Sequence, residues 1–94
     1  MIQDFADKDA ERLFRRERPR RLPADLHRAA LKKLWMLDAA VRLEDLRMPP
    51  GNHLEKLSKD RKDQYSIRIH RQWRVCFVWT AGGPDRVEIV DYHG

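Results

Sequence analysis

The sequence predicts an α+β fold in which two helices pack on one face of a mostly antiparallel sheet, in the order β-α-α-β-β-β. Two observations predict this class: apolar residues recur at helical spacing in the first half of the chain, and alternate with polar residues after the Pro49-Pro50-Gly51 break. The chain has 94 residues. We therefore expect a single domain, residues 1–94, around one small core.

The N-terminal segment predicts a brief strand followed by a helix. Residues 2–5 are short and partly β-prone. Asp7 is suited to capping a helix over residues 7–17, and Pro19 ends it.

A second helix is predicted to begin at Pro23 and to carry one apolar stripe. Trp35 and Met36 widen that face, and we expect both to contact the sheet. Residues 43–47 add one further turn before the proline break. The stripe consists of Leu26, Ala30, Leu34, Leu37 and Val41.

The second half predicts a sheet of three or four antiparallel strands. A short strand at residues 53–57 precedes a charged loop at residues 59–63, and longer strands cover residues 65–70, 73–79 and 86–92. Alternation places Tyr65, Ile67 and Ile69 on one face, with Trp73, Val75, Phe77 and Trp79. The other face then carries Ser66, Arg68, His70, Arg74, Cys76 and Val78.

Charge and composition narrow the class of partner. Twenty Lys and Arg against fifteen Asp and Glu give a net charge of +5, which favours a polyanion or an acidic protein. One cysteine cannot form an internal disulfide, and no apolar run reaches membrane-spanning length. We therefore expect a cytoplasmic protein with no membrane partner. Phosphate-loop, dinucleotide and HExxH motifs are missing from the sequence, so we expect neither cofactor nor metal.

The open sheet face and the C-terminus carry the candidate chemistry. Cleavage of RNA by transesterification needs a base for the 2′-hydroxyl, an acid for the 5′ oxygen, and cations for the phosphorane. Histidine, tyrosine and arginine supply these roles without a metal. The candidates are Arg68, His70 and Arg74 on the sheet, and Asp91, Tyr92 and His93 at the terminus.

Three stretches carry a resemblance that spans nearly the whole chain: Pro49-Pro50-Gly51-Asn52-His53-Leu54-Glu55-Lys56-Leu57, then Tyr65-Ser66-Ile67-Arg68-Ile69-His70-Arg71-Gln72-Trp73-Arg74-Val75-Cys76-Phe77, and finally Val87-Glu88-Ile89-Val90-Asp91-Tyr92-His93. Together they resemble the HigB toxins of the RelE/ParE toxin-antitoxin superfamily, and the predicted element order is similar to that family's fold. The resemblance implies a bacterial type II toxin that cuts messenger RNA in the ribosomal A site. It also implies a cognate HigA-type antitoxin with a helix-turn-helix domain. The toxin would then be connected to DNA only through this antitoxin.

The resemblance also assigns site residues. Asp91, Tyr92 and His93 match the active-site terminus of the family, and Arg74 matches the sheet arginine that contacts the scissile phosphate. Arg68, at a position where relatives vary, and His70, where close relatives often carry Asn, are candidates for substrate contact.

Some relatives place a catalytic histidine in the strand after the proline-glycine break, where this chain has Glu55. The general base is therefore open between Glu55, His53 and His93, with no discrete base as a further alternative if the ribosome supplies part of the environment. Two other functions also remain open: inhibition of DNA gyrase, as linked to the ParE relatives, and a non-catalytic basic module that binds RNA. The terminal Asp-Tyr-His argues against the gyrase target.

Overall fold

The computed structural model describes residues 1–58 and 63–92. Two α-helices precede a four-stranded antiparallel sheet whose strand order is β1-β2-β3-β4. This arrangement confirms the predicted α+β class. The helices are α1 (Lys8–Phe14) and α2 (His27–Ala39), and the strands are β1 (Glu55–Lys56), β2 (Gln64–His70), β3 (Trp73–Thr80) and β4 (Gly83–Asp91). Single 3-10 turns lie at Ala24–Leu26, Leu43–Arg47 and Pro50–Asn52.

Helix α1 begins where the sequence predicts and ends earlier. The Asp7 carboxylate accepts a hydrogen bond from the Asp9 N–H at 2.9 Å, as expected of an N-cap. The helix stops at Phe14 rather than at residue 17 because Arg16 adopts a left-handed conformation, with a φ of 67°. A left-handed residue turns the chain out of the helix before Pro19 is reached.

Helix α2 supplies the core-facing stripe, with two corrections to the prediction. Val41 is 84% exposed because the helix ends at Ala39 and the chain is extended at Ala40. Trp35 is 45% exposed rather than packed on the sheet, and the guanidinium of Arg16 lies 5.0 Å from its ring centroid. The buried stripe consists of Leu26, Ala30, Leu34 and Leu37.

The predicted N-terminal strand is reduced to one parallel bridge between Phe5 and Val87. The Gln3 N–H donates to the Pro84 carbonyl at 2.8 Å, and the Val87 N–H donates to the Asp4 carbonyl at 3.1 Å. The segment is too short to form a ladder before the Asp7 cap begins α1, so the prediction of a strand at residues 2–5 was wrong.

The strand predicted at residues 53–57 also shrinks, to the two residues of β1. A 3-10 turn ends at Asn52, and His53 is left-handed, with φ 45° and ψ 58°. These two features delay the extended conformation until Glu55. Of the predicted charged loop, residues 59–62 lie outside the described residues.

The core lies between α2 and one face of the sheet. Its sheet side consists of Ile67, Ile69, Val75, Phe77, Val87 and Ile89, all buried. The core therefore leaves the opposite face of β2, β3 and β4 for other roles. No helix among residues 1–58 and 63–92 is long and apolar enough to cross a membrane.

Candidate functional site

Strand register brings the two sheet arginines together on the face that points away from the core. Arg68 pairs with Arg74 across β2 and β3, and Arg74 pairs with Val90 on β4. The neighbouring row consists of Glu55, Ser66, Cys76 and Glu88. Alternation along each strand makes these two rows the centre of one surface.

The guanidinium of Arg74 is fixed by three neighbours. Its Nε donates to Ser66 Oγ at 2.7 Å, and its Nη2 donates to the His53 carbonyl at 2.5 Å. The Glu55 carboxylate lies 3.9 Å from the same Nη2. The Arg74 side chain is only 12% exposed, whereas that of Glu55 is 60% exposed. A largely buried, hydrogen-bonded cation therefore lies beside a carboxylate that solvent and a ligand can reach.

Arg68 lies directly opposite Arg74 and is exposed. Its Nε donates to the Arg71 carbonyl at 3.2 Å. Like charges in directly opposed positions destabilise a sheet pair. An anion placed between the two guanidiniums would relieve this repulsion, so the pair favours binding of a phosphate group.

Tyr92 reaches the same surface from the end of β4. Its hydroxyl accepts a weak hydrogen bond from the Cys76 thiol at 3.9 Å, and its N–H donates to the Gln72 carbonyl at 2.8 Å. Tyr92 as a whole is 36% exposed. Cys76 is fully buried, as the sequence predicts.

The remaining terminal residues differ in position. Asp91 lies opposite Trp73 in the β3–β4 register, and its Oδ1 is shielded from solvent. A shielded carboxylate is suited to holding neighbouring groups in place rather than to receiving a proton from a substrate. His93 lies outside the described residues.

His70 does not lie in the row formed by Arg68, Arg74 and Val90, which we call the arginine row. This corrects the prediction from alternation. A register shift between Arg68 and His70 places His70 opposite Trp73. Both side chains line a cleft with Pro23 and Asp25, near the start of α2. A bulge adds one residue to a strand and reverses the faces beyond it, which simple alternation does not anticipate.

His53 contributes its backbone to the site. Its carbonyl accepts the hydrogen bond from Arg74, while the residue itself is exposed. Sequence reasoning considered only the imidazole ring. It also missed Ser66, the acceptor for Arg74 Nε, whose full burial is visible only once β3 is placed beside β2.

The arginine-rich N-terminal region is partly neutralised within the chain. Arg21 lies 2.6 Å from an Asp9 carboxylate oxygen and 3.0 Å from one of Asp7, and the hydrogen bond to Asp9 raises its pKa. Arg12 and Arg15 also lie near carboxylates along α1. Within residues 1–58 and 63–92, no cluster of three or more His, Cys, Asp or Glu could hold a metal ion.

A family model and one named relative point to the same family. Residues 3–93 match a family model described as the RelE-like toxin of type II toxin-antitoxin system HigB. The chain is 40% identical over 83 residues to Toxin HigB-1 of Vibrio cholerae, which covers 87% of each chain. It is also 39% identical over 59 residues to an uncharacterized protein of Haemophilus influenzae, covering 63% of this chain and 58% of that one.

Proposed function

The chain belongs to the HigB family of RelE-like toxins of type II toxin-antitoxin systems, and we propose that it is an endoribonuclease that cuts messenger RNA in the ribosomal A site. One observation carries the proposal: the fixed guanidinium of Arg74 lies 3.9 Å from the exposed carboxylate of Glu55 and directly opposite Arg68. This arrangement combines cations for a phosphate with a group that accepts a proton.

In the proposed reaction, the base removes the proton of a 2′-hydroxyl, and the 2′ oxygen attacks the adjacent phosphorus. The bond from phosphorus to the 5′ oxygen breaks, and an acid donates a proton to that leaving oxygen. The products are a 2′,3′-cyclic phosphate and a 5′-hydroxyl end. Arg74 and Arg68 stabilise the charge that builds on the phosphorane oxygens, and no metal takes part.

Glu55 is our first choice of general base because its carboxylate is exposed beside Arg74. His53 and His93 are the alternatives that the sequence leaves open. Tyr92 would stack on a base or donate a proton, and Asp91 would position its neighbours. His70, which lies apart from the arginine row, would contact RNA outside the scissile phosphate.

The ribosome would hold the message in line for attack, which can contribute several kcal/mol to a reaction with few acid and base groups. The protein would act in the bacterial cytoplasm as a single domain over residues 1–94. A cognate HigA-like antitoxin with a helix-turn-helix domain would neutralise it and would provide its only connection to DNA.

The test is inducible expression in a bacterial host, with new message 5′ ends mapped by primer extension. We expect the wild type to stop growth and to produce cuts in translated frames. Arg74→Ala should abolish the cuts, because the phosphorane loses its fixed cation, while binding of the antitoxin survives. Arg47→Ala removes an exposed arginine of a 3-10 turn and is the matched control, which should still cut.

Two outcomes would contradict the proposal. Growth arrest with DNA damage and no codon-linked cuts would indicate gyrase as the target. Growth arrest that persists in both Arg74→Ala and a His93→Ala, Asp91→Ala double variant would indicate a non-catalytic RNA-binding module.

A further inference from the structure

Asn52 is a fully buried polar residue at the junction of α2 with the turns that precede β1. Its Nδ2 donates to the Leu46 carbonyl at 3.1 Å, to the Met48 carbonyl at 3.3 Å and to Met36 Sδ at 3.1 Å. Its Oδ1 accepts a hydrogen bond from Lys33 Nζ at 2.5 Å. The amide thus joins the helix to both 3-10 turns in one set of contacts.

Lys33 is the charged member of this set. It lies on α2 and is partly buried, and burial lowers its pKa, with a further contribution from Lys32. A hydrogen bond to a charged group is stronger than one between neutral groups. Removing Lys33 would leave Oδ1 of the fully buried Asn52 without this donor, which is costly in a poorly hydrated position.

The turn held by Asn52 leads directly into the candidate site. The next residue, His53, donates its N–H to the Pro50 carbonyl at 3.1 Å and adopts the left-handed conformation. A residue with a Cβ is strained in that region by roughly 1–2 kcal/mol, so its surroundings must hold it there. In this conformation the His53 carbonyl accepts the hydrogen bond from Arg74, and Glu55 follows two residues later.

We propose that Lys33 and Asn52 are positioning residues for RNA cleavage: by holding the turn at His53 they fix the orientation of the Arg74 guanidinium. Neither side chain is hydrogen-bonded to Arg74 itself. The expected effect on cleavage rests on the proposed function. The expected effect on the order of the Arg74 guanidinium does not depend on it. The two parts can therefore be tested separately.

The first measurement follows the Nη2–H protons of Arg74, which donate to the His53 carbonyl, by nitrogen-15 NMR of the folded protein, in the wild type, Lys33→Gln and Asn52→Ala. We expect exchange of these protons with water to accelerate at least about tenfold in both variants, because the acceptor at His53 is no longer held in place. Lys32→Gln makes the same charge change one position away on α2. Thr80→Val removes hydrogen bonds of Thr80 that close the β3–β4 turn. Both controls should leave the exchange unchanged.

The second measurement is steady-state cleavage on purified programmed ribosomes. We expect kcat to fall about tenfold or more with KM changed less than about threefold, since a misplaced cation weakens transition-state binding more than substrate binding. Lys33→Arg keeps the donor and should restore most of the rate. A variant that is only less stable would lose apparent kcat in the same way, so the fraction of folded toxin is measured by circular dichroism and kcat is calculated per folded molecule.

The results separate the two proposals. Folded variants with wild-type exchange at Arg74 would overturn the positioning role, whatever the enzyme does. If the wild type fails to cleave, the proposed function is wrong, and the exchange data still decide whether Lys33 and Asn52 order Arg74. If Asn52→Ala fails to fold, Lys33→Gln decides the question, because Lys33 is only partly buried.

Discussion

At the scale of single residues, the candidate site combines one immobile group with one accessible group. Arg74 donates hydrogen bonds from Nε to Ser66 and from Nη2 to the His53 carbonyl, so its orientation is set before any ligand binds. Glu55 remains 60% exposed. Preorganised charge of this kind stabilises a transition state because it needs no reorganisation during the reaction.

The ring and the carbonyl of His53 can be separated by substitution. His53→Gly removes the imidazole, keeps the carbonyl and suits the left-handed conformation. We expect His53→Gly to lower the cleavage rate by less than about tenfold. Glu55→Gln should lower the rate by about a hundredfold or more, because it removes the general base. Single-turnover cleavage on programmed ribosomes measures both. A larger loss in His53→Gly than in Glu55→Gln would make the imidazole the base.

Sequence reasoning reached the arginine row but not the groups that support it. Period-two alternation was enough to place Arg68 and Arg74 on one face. It placed His70 on the wrong side because a bulge depends on the pairing of two strands. The burial of Ser66 and Asn52 was also invisible, since it is decided by residues distant in the sequence.

At the scale of elements, Asp7 links α1 to the rest of the molecule. Besides capping the helix, its carboxylate accepts a hydrogen bond from the Ile89 N–H of β4 at 3.2 Å and contacts Arg21. The cap therefore also fixes the helix against the edge of the sheet and against the segment that follows it.

We expect Asp7→Ala to lower the free energy of unfolding by about 2 kcal/mol, since it removes an N-cap and leaves partly buried donors unsatisfied. Urea denaturation followed by circular dichroism measures the change. Asp25→Ala is the matched control, because Asp25 is exposed and makes no cap in its 3-10 turn. Its effect should stay within about 0.5 kcal/mol. Equal losses in the two variants would contradict this account of Asp7.

Element types were predictable, but several boundaries were not. The helical and alternating periods identified α1, α2 and the three long strands because each has enough residues to show its period. Val41 continues the apolar stripe of α2 in the sequence, yet the helix ends before it. The left-handed conformations of Arg16 and His53 shorten α1 and β1. The residue types at these two positions do not predict that conformation.

At the scale of the whole molecule, the distribution of charge matters more than the net value of +5. Arg12, Arg15 and Arg21 are paired with carboxylates of α1 and its cap. Arg68 and Arg74 instead lie opposite each other on one open sheet face, where Glu55 is the carboxylate beside Arg74. Contacts between such cations and phosphates release counterions from RNA, so affinity depends on salt.

We expect RNA binding to weaken linearly with the logarithm of salt concentration, by a slope of about 0.7 for each phosphate contacted in a single strand. Arg68→Ala and Arg74→Ala should each make the slope shallower by about that amount, whereas Arg47→Ala should not. Fluorescence anisotropy of a labelled RNA across a salt series gives the slopes. Parallel lines for all variants would place the phosphate contacts elsewhere.

Both borders of the sheet are short or covered. β1 contributes only two residues at one border, and the N-terminal segment runs along β4 at the other through the bridge between Phe5 and Val87. Long unpaired strand borders recruit other chains and promote aggregation. The first six residues therefore protect solubility as well as anchoring the chain. A purification tag placed before Met1 would loosen this cover, so N-terminal and C-terminal fusions of this protein should differ in their tendency to aggregate.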